Sequence, residues 1–235
     1  MPGTMDTPVG PWSQAGRSAV PPEIHRERQI WTYNPLVAPR RLGVMGGTFD
    51  PIHFGHLVTA EGAFWQFDLD EVVFVPTGEP WMKGAGEVTP AEDRYLMTVI
   101  ATASNPHFSV SRLEIDRAGP TYTRDTLEAI RREEDQGTAL FFITGADAIL
   151  EIFHWKDPEE VLSLATFIAA TRPGYDIARF EAEAPTSHPN VSVMSVPALA
   201  ISSTDIRERV AEGRPVRYLV PEGVKTYIDK AGLYR

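Results

Sequence analysis

Apolar residues in this chain fall into short runs separated by longer amphipathic stretches, and the alternation begins at Leu42. Leu42 to Met45 is followed at once by Gly46-Gly47, which predicts a strand feeding a tight turn where the backbone can approach a ligand. A helical pattern opens near His56 and carries Leu57, Ala60, Phe64 and Trp65. The β-branched and aromatic run Glu71 to Val75 predicts a second strand, closed by Pro76. A helix then runs from about Pro90 through Tyr95, Leu96, Val99 and Ile100, followed by an alternating strand from Phe108 to Ile115 and a helix from Thr123 to Arg132. Leu140 to Thr144 reads as a fully apolar strand. Short helices at Ala148 to Phe153 and Pro158 to Ala165, strands at Thr166 to Ala170 and Val191 to Val196, and helices from near Ser203 and from Pro221 to Lys230 complete the pattern. Strands that are apolar on both faces, alternating with helices, predict an α/β fold with a parallel sheet covered on both sides. Ligands of such sheets bind beyond the carboxyl ends of the strands, where strand order reverses.

Residues 1–39 break this pattern. Prolines recur from Pro2 to Pro39 with little apolar periodicity, so this stretch is expected to be a mostly disordered leader, with Ile30, Trp31 and Tyr33 as a docking cluster at most. Residues 40–235 then form one domain, whose part from about residue 196 is expected to be a small helical subdomain. The 235 residues, 43% of them hydrophobic, suffice for one substantial core, and no apolar run is long enough to span a membrane. With no cysteine and no secretory signal, a cytoplasmic location is the expectation.

A net charge of −10 argues against nucleic acid as a partner, since backbone affinity needs a clustered basic surface. Small anionic ligands are a different matter: a local positive pocket of helix N-termini, a few basic side chains and a divalent cation can hold them within an acidic molecule. The run LGVMGGTFDPIHFGHL, Leu42 to Leu57, supplies the first part of such a pocket. His53 and His56, three apart around Gly55, sit at the mouth of a predicted helix, beside its first N–H groups. Taken singly, a glycine pair is ordinarily a turn and a histidine ordinarily a surface or core residue. A zinc site of His53, His56 and Asp50 lacks a fourth ligand, since neither cysteine nor another clustered histidine is present; the metal reading is therefore none. Neither G-x-x-x-x-G-K-[ST] nor G-x-G-x-x-G occurs here. A second segment, Ile201 to Arg207 (ISSTDIR), brings Ser202, Ser203 and Thr204 to the start of another helix, with Arg207 one turn in. Ser or Thr before an acidic first turn is a common cap, and Arg207 is what points beyond capping to phosphate.

Together GGTFDP-x-H-x-G-H and ISSTDIR resemble the two signatures of the H-x-G-H nucleotidyltransferases, a superfamily with a Rossmann-like sheet. The segment GPTYT, Gly119 to Thr123, with Gly145-Ala146-Asp147 and Trp155 after it, resembles the bacterial nicotinate-nucleotide adenylyltransferases within that group. The resemblance covers roughly Arg41 to Arg235 and implies transfer of AMP from ATP to nicotinate mononucleotide. It implies catalytic roles for His53, His56, Lys83 and Arg207 on the triphosphate, and ATP contacts from Gly46, Gly47, Thr48, Phe49, Ser202, Ser203 and Thr204. Acceptor binding falls on Thr123 and Trp155 for the pyridine carboxylate and ring, on Asp147 for ribose hydroxyls, and on Arg172 near the nucleotides. Met82 stands where many relatives have a histidine just before the basic residue, Lys83 here. Mg2+ is expected on the triphosphate, held by substrate and water. Expected partners are small-molecule nucleotides, with neither nucleic acid nor membrane, and a homo-oligomer is compatible with the sequence. Rival readings are a nicotinamide-mononucleotide or pantetheine-phosphate adenylyltransferase, or a nucleotide-binding protein of the same fold without catalysis.

Overall fold

A computed structural model describes residues 39–80, 88–152, 158–171, 189–197 and 200–235. The leader with Ile30, Trp31 and Tyr33, and the candidate residues Lys83, Trp155 and Arg172, lie outside them.

Among the described residues, strands β1 (Arg41–Gly47), β2 (Glu71–Pro76), β4 (Phe108–Val110), β6 (Ala139–Gly145), β7 (Thr166–Thr171) and β8 (Val191–Ser195) form one sheet. Its order is β4-β2-β1-β6-β7-β8 and every pairing is parallel. The chain moves outward from β1 to one edge, then returns beside β1 and moves to the other edge, so the switch point lies between β1 and β6. A second, two-stranded sheet pairs β3 (Glu79–Pro80) with β5 (Pro120–Thr121). Parallel strands need crossovers, and these are supplied by helices α1 (Phe54–Gln66), α2 (Ala91–Thr102), α3 (Thr123–Glu133), α4 (Ala146–Leu150) and α5 (Pro158–Leu164). Helices α6 (Ser203–Ala211) and α7 (Glu222–Ala231) follow β8.

Strand residues alternate between two cores, as period-2 side chains must. Leu42, Val44, Leu140, Phe142 and Phe167 face one core with Leu127, Ile130 and Ile149, whereas Met45, Phe141, Ile143 and Ile168 face the other with Ala60, Met97 and Ile228. Ile206, Val216, Val220 and Val224 join this second cluster beside Met45 and Phe49, so the segment after β8 is packed against the same core as the histidine loop. Ala38–Arg235 is thereby one compact unit.

One boundary differs from the sequence pattern, and two helices bury faces that the pattern does not mark. The strand expected over Phe108 to Ile115 stops at Val110, because the chain turns where Arg112 gathers the carboxylates of Glu92 and Asp116 and stacks over Tyr95. In α2 the helix is as expected, with Leu96 and Ile100 exposed and Arg94, Met97, Thr98, Ala101 and Thr102 buried. The two threonines satisfy their hydroxyls on carbonyls one turn back, at 2.8 and 2.9 Å, and so bury without an unpaired donor. Trp65 in α1 is 81% exposed, not part of the core face.

Candidate active site

The loop after β1 takes its shape from its own side chains. Phe49 has a left-handed backbone (φ 49°) and a ring that is buried beneath the loop, edge-on to His56 with centroids 5.1 Å apart and tilted against Phe74. A Cβ on Gly47 would stand 2.8 Å from that ring, so glycine is needed there. Phe49 therefore contributes packing beneath the site. The Asp50-Pro51 peptide is cis.

His53 is the N-cap of α1, with extended backbone, and its N–H donates to Nδ1 of His56 at 3.2 Å. An accepting Nδ1 carries a lone pair, which leaves the proton of a neutral His56 on Nε2. The two imidazoles stack with centroids 3.7 Å apart. Gly55 makes this possible: a Cβ there would meet Cε1 and Nδ1 of His53 at 2.9 Å. The helix therefore opens at Phe54, slightly earlier than its apolar pattern suggested.

From the other side comes the start of α6. Ser202 is its N-cap, accepting from the Asp205 N–H at 3.1 Å. Ser203 Oγ donates to the Pro51 carbonyl at 2.9 Å, and Arg207 Nη1 donates to the Asp50 carbonyl at 2.8 Å, with Nη2 reaching Thr204 Oγ1 at 3.3 Å. Two segments some 150 positions apart in sequence are thus stitched together by direct hydrogen bonds. Asp50 is the hub of this stitching. Only 2% exposed, its carboxylate accepts from Tyr234 Oη at 2.7 Å and from the Thr89 N–H at 3.2 Å. The burial and the neighbouring Asp50 charge push the Tyr234 hydroxyl far above the ordinary tyrosine value.

Between these walls lies a cleft of about 300 Å³, lined by His53, His56, Gly55, Thr59, Ser202 and Ser203, with Met45, Gly145 and Ala170 at its strand-end floor. It sits at the carboxyl ends of β1, β6 and β7, across the switch point. Of the residues expected at the site, His53, His56, Ser202 and Ser203 line this cleft, while Thr204 and Arg207 stand behind it on the Asp50 loop. Gly46, Gly47 and Thr48 form the half-buried turn beside it. Asp147 is exposed on the first turn of α4, two residues past Gly145, and Thr123 is the first residue of α3; neither lines this cleft. Sequence reasoning missed Asp50 as a hub, Tyr234, and two buried charged groups, Arg94 and Glu114. The available signal was Arg94, Met97 and Ala101 at i, i+3 and i+7, a charged residue in line with the inward stripe.

A cleft flanked by a histidine-capped helix and a hydroxyl-rich helix start, at the switch point of a parallel sheet, defines a nucleotide-handling α/β protein of the nucleotidyltransferase type. The family model described as cytidylyltransferase-like matches residues 44–209. A "Probable nicotinate-nucleotide adenylyltransferase" of Leifsonia xyli is 62% identical over 195 residues, covering 83% of this chain and 94% of that protein. The protein of the same name from Streptomyces coelicolor is 61% identical over 191 residues, covering 81% and 99%. The chain belongs to the nicotinate-nucleotide adenylyltransferase family. Among solved structures, the Plasmodium falciparum nicotinic acid mononucleotide adenylyltransferase complexed with NaAD shares the fold, with a TM-score of 0.70 at 21% identity over 83% of this chain and 97% of that one.

Proposed function

We propose that this chain transfers the AMP moiety of ATP to nicotinate mononucleotide, forming nicotinate adenine dinucleotide and pyrophosphate. The observation that carries the reading is the single cleft where the paired histidines meet the start of α6, in a chain about 60% identical to proteins bearing that name. An acceptor phosphate oxygen attacks the α-phosphorus of ATP, the bond from that phosphorus to the bridging oxygen breaks, and pyrophosphate leaves with the electron pair. The acceptor phosphate is already anionic at neutral pH, so no general base is required. The task is to hold two anions in line and to receive charge on the leaving group.

His56 suits the second task, since its Nδ1 is occupied by the His53 N–H and a neutral ring must donate through Nε2. His53 stacks on it and Ser202 and Ser203 face the same space, so triphosphate oxygens are their natural ligands. Arg207, held to the Asp50 carbonyl through Nη1, fixes the loop and has further donors for phosphate. The described lining of the cleft contains no carboxylate, which suits magnesium carried in on the triphosphate and held by phosphate oxygens and water. Lys83 and Arg172 as phosphate neighbours, Trp155 and Thr123 as the pyridine pocket, and Asp147 as a ribose ligand complete the proposed site.

The test is pyrophosphate release by the purified chain with ATP and a panel of acceptors: nicotinate mononucleotide, nicotinamide mononucleotide and pantetheine phosphate. The first should be used fastest. Equal rates for the two pyridine nucleotides would refute the carboxylate pocket, and no release with any acceptor would refute catalysis.

A further inference from the structure

Two buried ionisable groups, the Arg94 guanidinium and the Glu114 carboxyl, lie between the histidine loop and the GPTYT segment. Arg94 is 1% exposed, and its guanidinium is committed to three backbone carbonyls: Nη1 donates to Thr48 at 2.8 Å, Nη2 to Gly78 at 3.0 Å and Nε to Thr89 at 2.8 Å. Glu114, also buried, accepts from Thr126 Oγ1 at 2.5 Å, and its backbone carbonyl packs against Gly78. Gly78 is therefore held from two sides, its carbonyl by the Arg94 cation and its Cα against the Glu114 backbone. Nothing larger than glycine fits, because a Cβ there would stand 2.1 Å from the Glu114 carbonyl oxygen. Burial lowers the Arg94 pKa below the ordinary arginine value, against the opposing pull of Asp50, Tyr234 and Glu114.

Burying charges is costly, and apolar side chains of similar volume would commonly serve stability as well or better. What apolar residues lack is direction: a planar fork with three fixed donors sets three peptides at fixed mutual distances. The peptides concerned belong to different halves of the reaction. Thr48 is in the turn beside the cleft, whereas Thr121 and Thr126 flank Thr123 at the start of α3. We propose that Arg94 and Glu114 are positioning residues that set the separation between bound ATP and bound acceptor, working through the shared Gly78 peptide. The inference rests on the adenylyl-transfer reading above and adds which residues align its two substrates.

The test uses the full chain with Arg94→Lys, which keeps the charge but not the fork, and Glu114→Gln, which keeps the shape but offers one acceptor oxygen. Thr126→Val, which removes a single donor to Glu114, carries the test if either buried-charge variant fails to fold. For each, kcat per folded molecule is measured alongside the separate binding of ATP and of nicotinate mononucleotide. Misaligned but occupied sites should lower kcat about 10- to 100-fold while each nucleotide alone binds as in the wild type. Wild-type kcat in folded variants, or loss of single-nucleotide binding in step with kcat, would overturn the positioning role. An active wild type with unaffected variants sinks the positioning alone, whereas a wild type that releases no pyrophosphate sinks the underlying reading and this inference with it.

Discussion

Gly55→Ala separates the geometry of the histidine pair from the stability of the helix that carries it. Gly55 is the second residue of α1, and the added Cβ would lie 2.9 Å from two atoms of the His53 ring, where ordinary contact begins near 3.4 Å. The ring must retreat by about the difference, 3.4 − 2.9 = 0.5 Å, away from a position set by its stack on His56 at 3.7 Å. Alanine in a helix is favoured over glycine by roughly 0.5–1 kcal/mol, so the substitution should leave the melting temperature near or above that of the wild type. Turnover should fall by about 10-fold or more, because sub-ångström misplacement of a group that meets the transition state is costly. A thermal melt and a continuous pyrophosphate assay on the same preparation measure both effects. A stable Gly55→Ala protein with full turnover would show that transfer does not need the stacked arrangement, and the role assigned to the paired imidazoles would fail.

Three further outcomes follow from the same contacts. His56→Ala should cut turnover by at least ~10²-fold, as for loss of an oriented donor to the leaving group, with little change in melting temperature; near-normal turnover would remove His56 from the mechanism. Tyr234→Phe takes one donor from the buried Asp50 carboxylate and should destabilise the fold by about 1–3 kcal/mol, read as an earlier midpoint in denaturant unfolding, and an unmoved midpoint would refute the bond. Burial pushes the Glu114 carboxyl above the ordinary glutamate range, so between that range and its raised value the folded chain keeps a proton that the unfolded chain has lost, and stability falls as pH rises through this window. Glu114→Gln should flatten that dependence in melts recorded from mildly acidic to neutral pH, and an unchanged slope would refute the assignment.

The elements that were legible from sequence are those whose signal is local. The apolar run of β6 and the helix signal of α3 can be read from a few neighbouring residues. The stitching of the site is not local. Arg207 and Asp50 are 157 positions apart, and Tyr234 and Asp50 are 184 apart, so no spacing rule joins them. Motif reasoning brought the two segments together because both carry phosphate-binding chemistry, but it assigned Arg207 wholly to the substrate, whereas in the fold one of its donors holds a backbone carbonyl. Arg94 was hidden for another reason. Leu96 and Ile100 outweigh Thr98 and Thr102 on any hydropathy scale yet lie on the outer face of α2, and the buried face is made possible by hydroxyls bonding back to their own helix.

The acidity of the chain and the anionic nature of its proposed substrates are reconciled by where charge is placed, not by its sum. The formal charge is −10, yet the described cleft lining has no carboxylate, and that of Asp50 in the adjoining loop is turned inward onto Tyr234 and Thr89. Arg94 lies behind the same loop with its charge spread over three carbonyls, one of them that of Thr48 in the turn beside the cleft. The loop is thus backed by a buried cation and flanked by two helix starts whose dipoles favour anions. Surface carboxylates, such as those paired with Arg112 and Arg214, face water, where charges separated by more than a Debye length are largely screened. A pocket flanked by helix dipoles and backed by the buried Arg94 can therefore favour triphosphate within a molecule whose overall field would repel it.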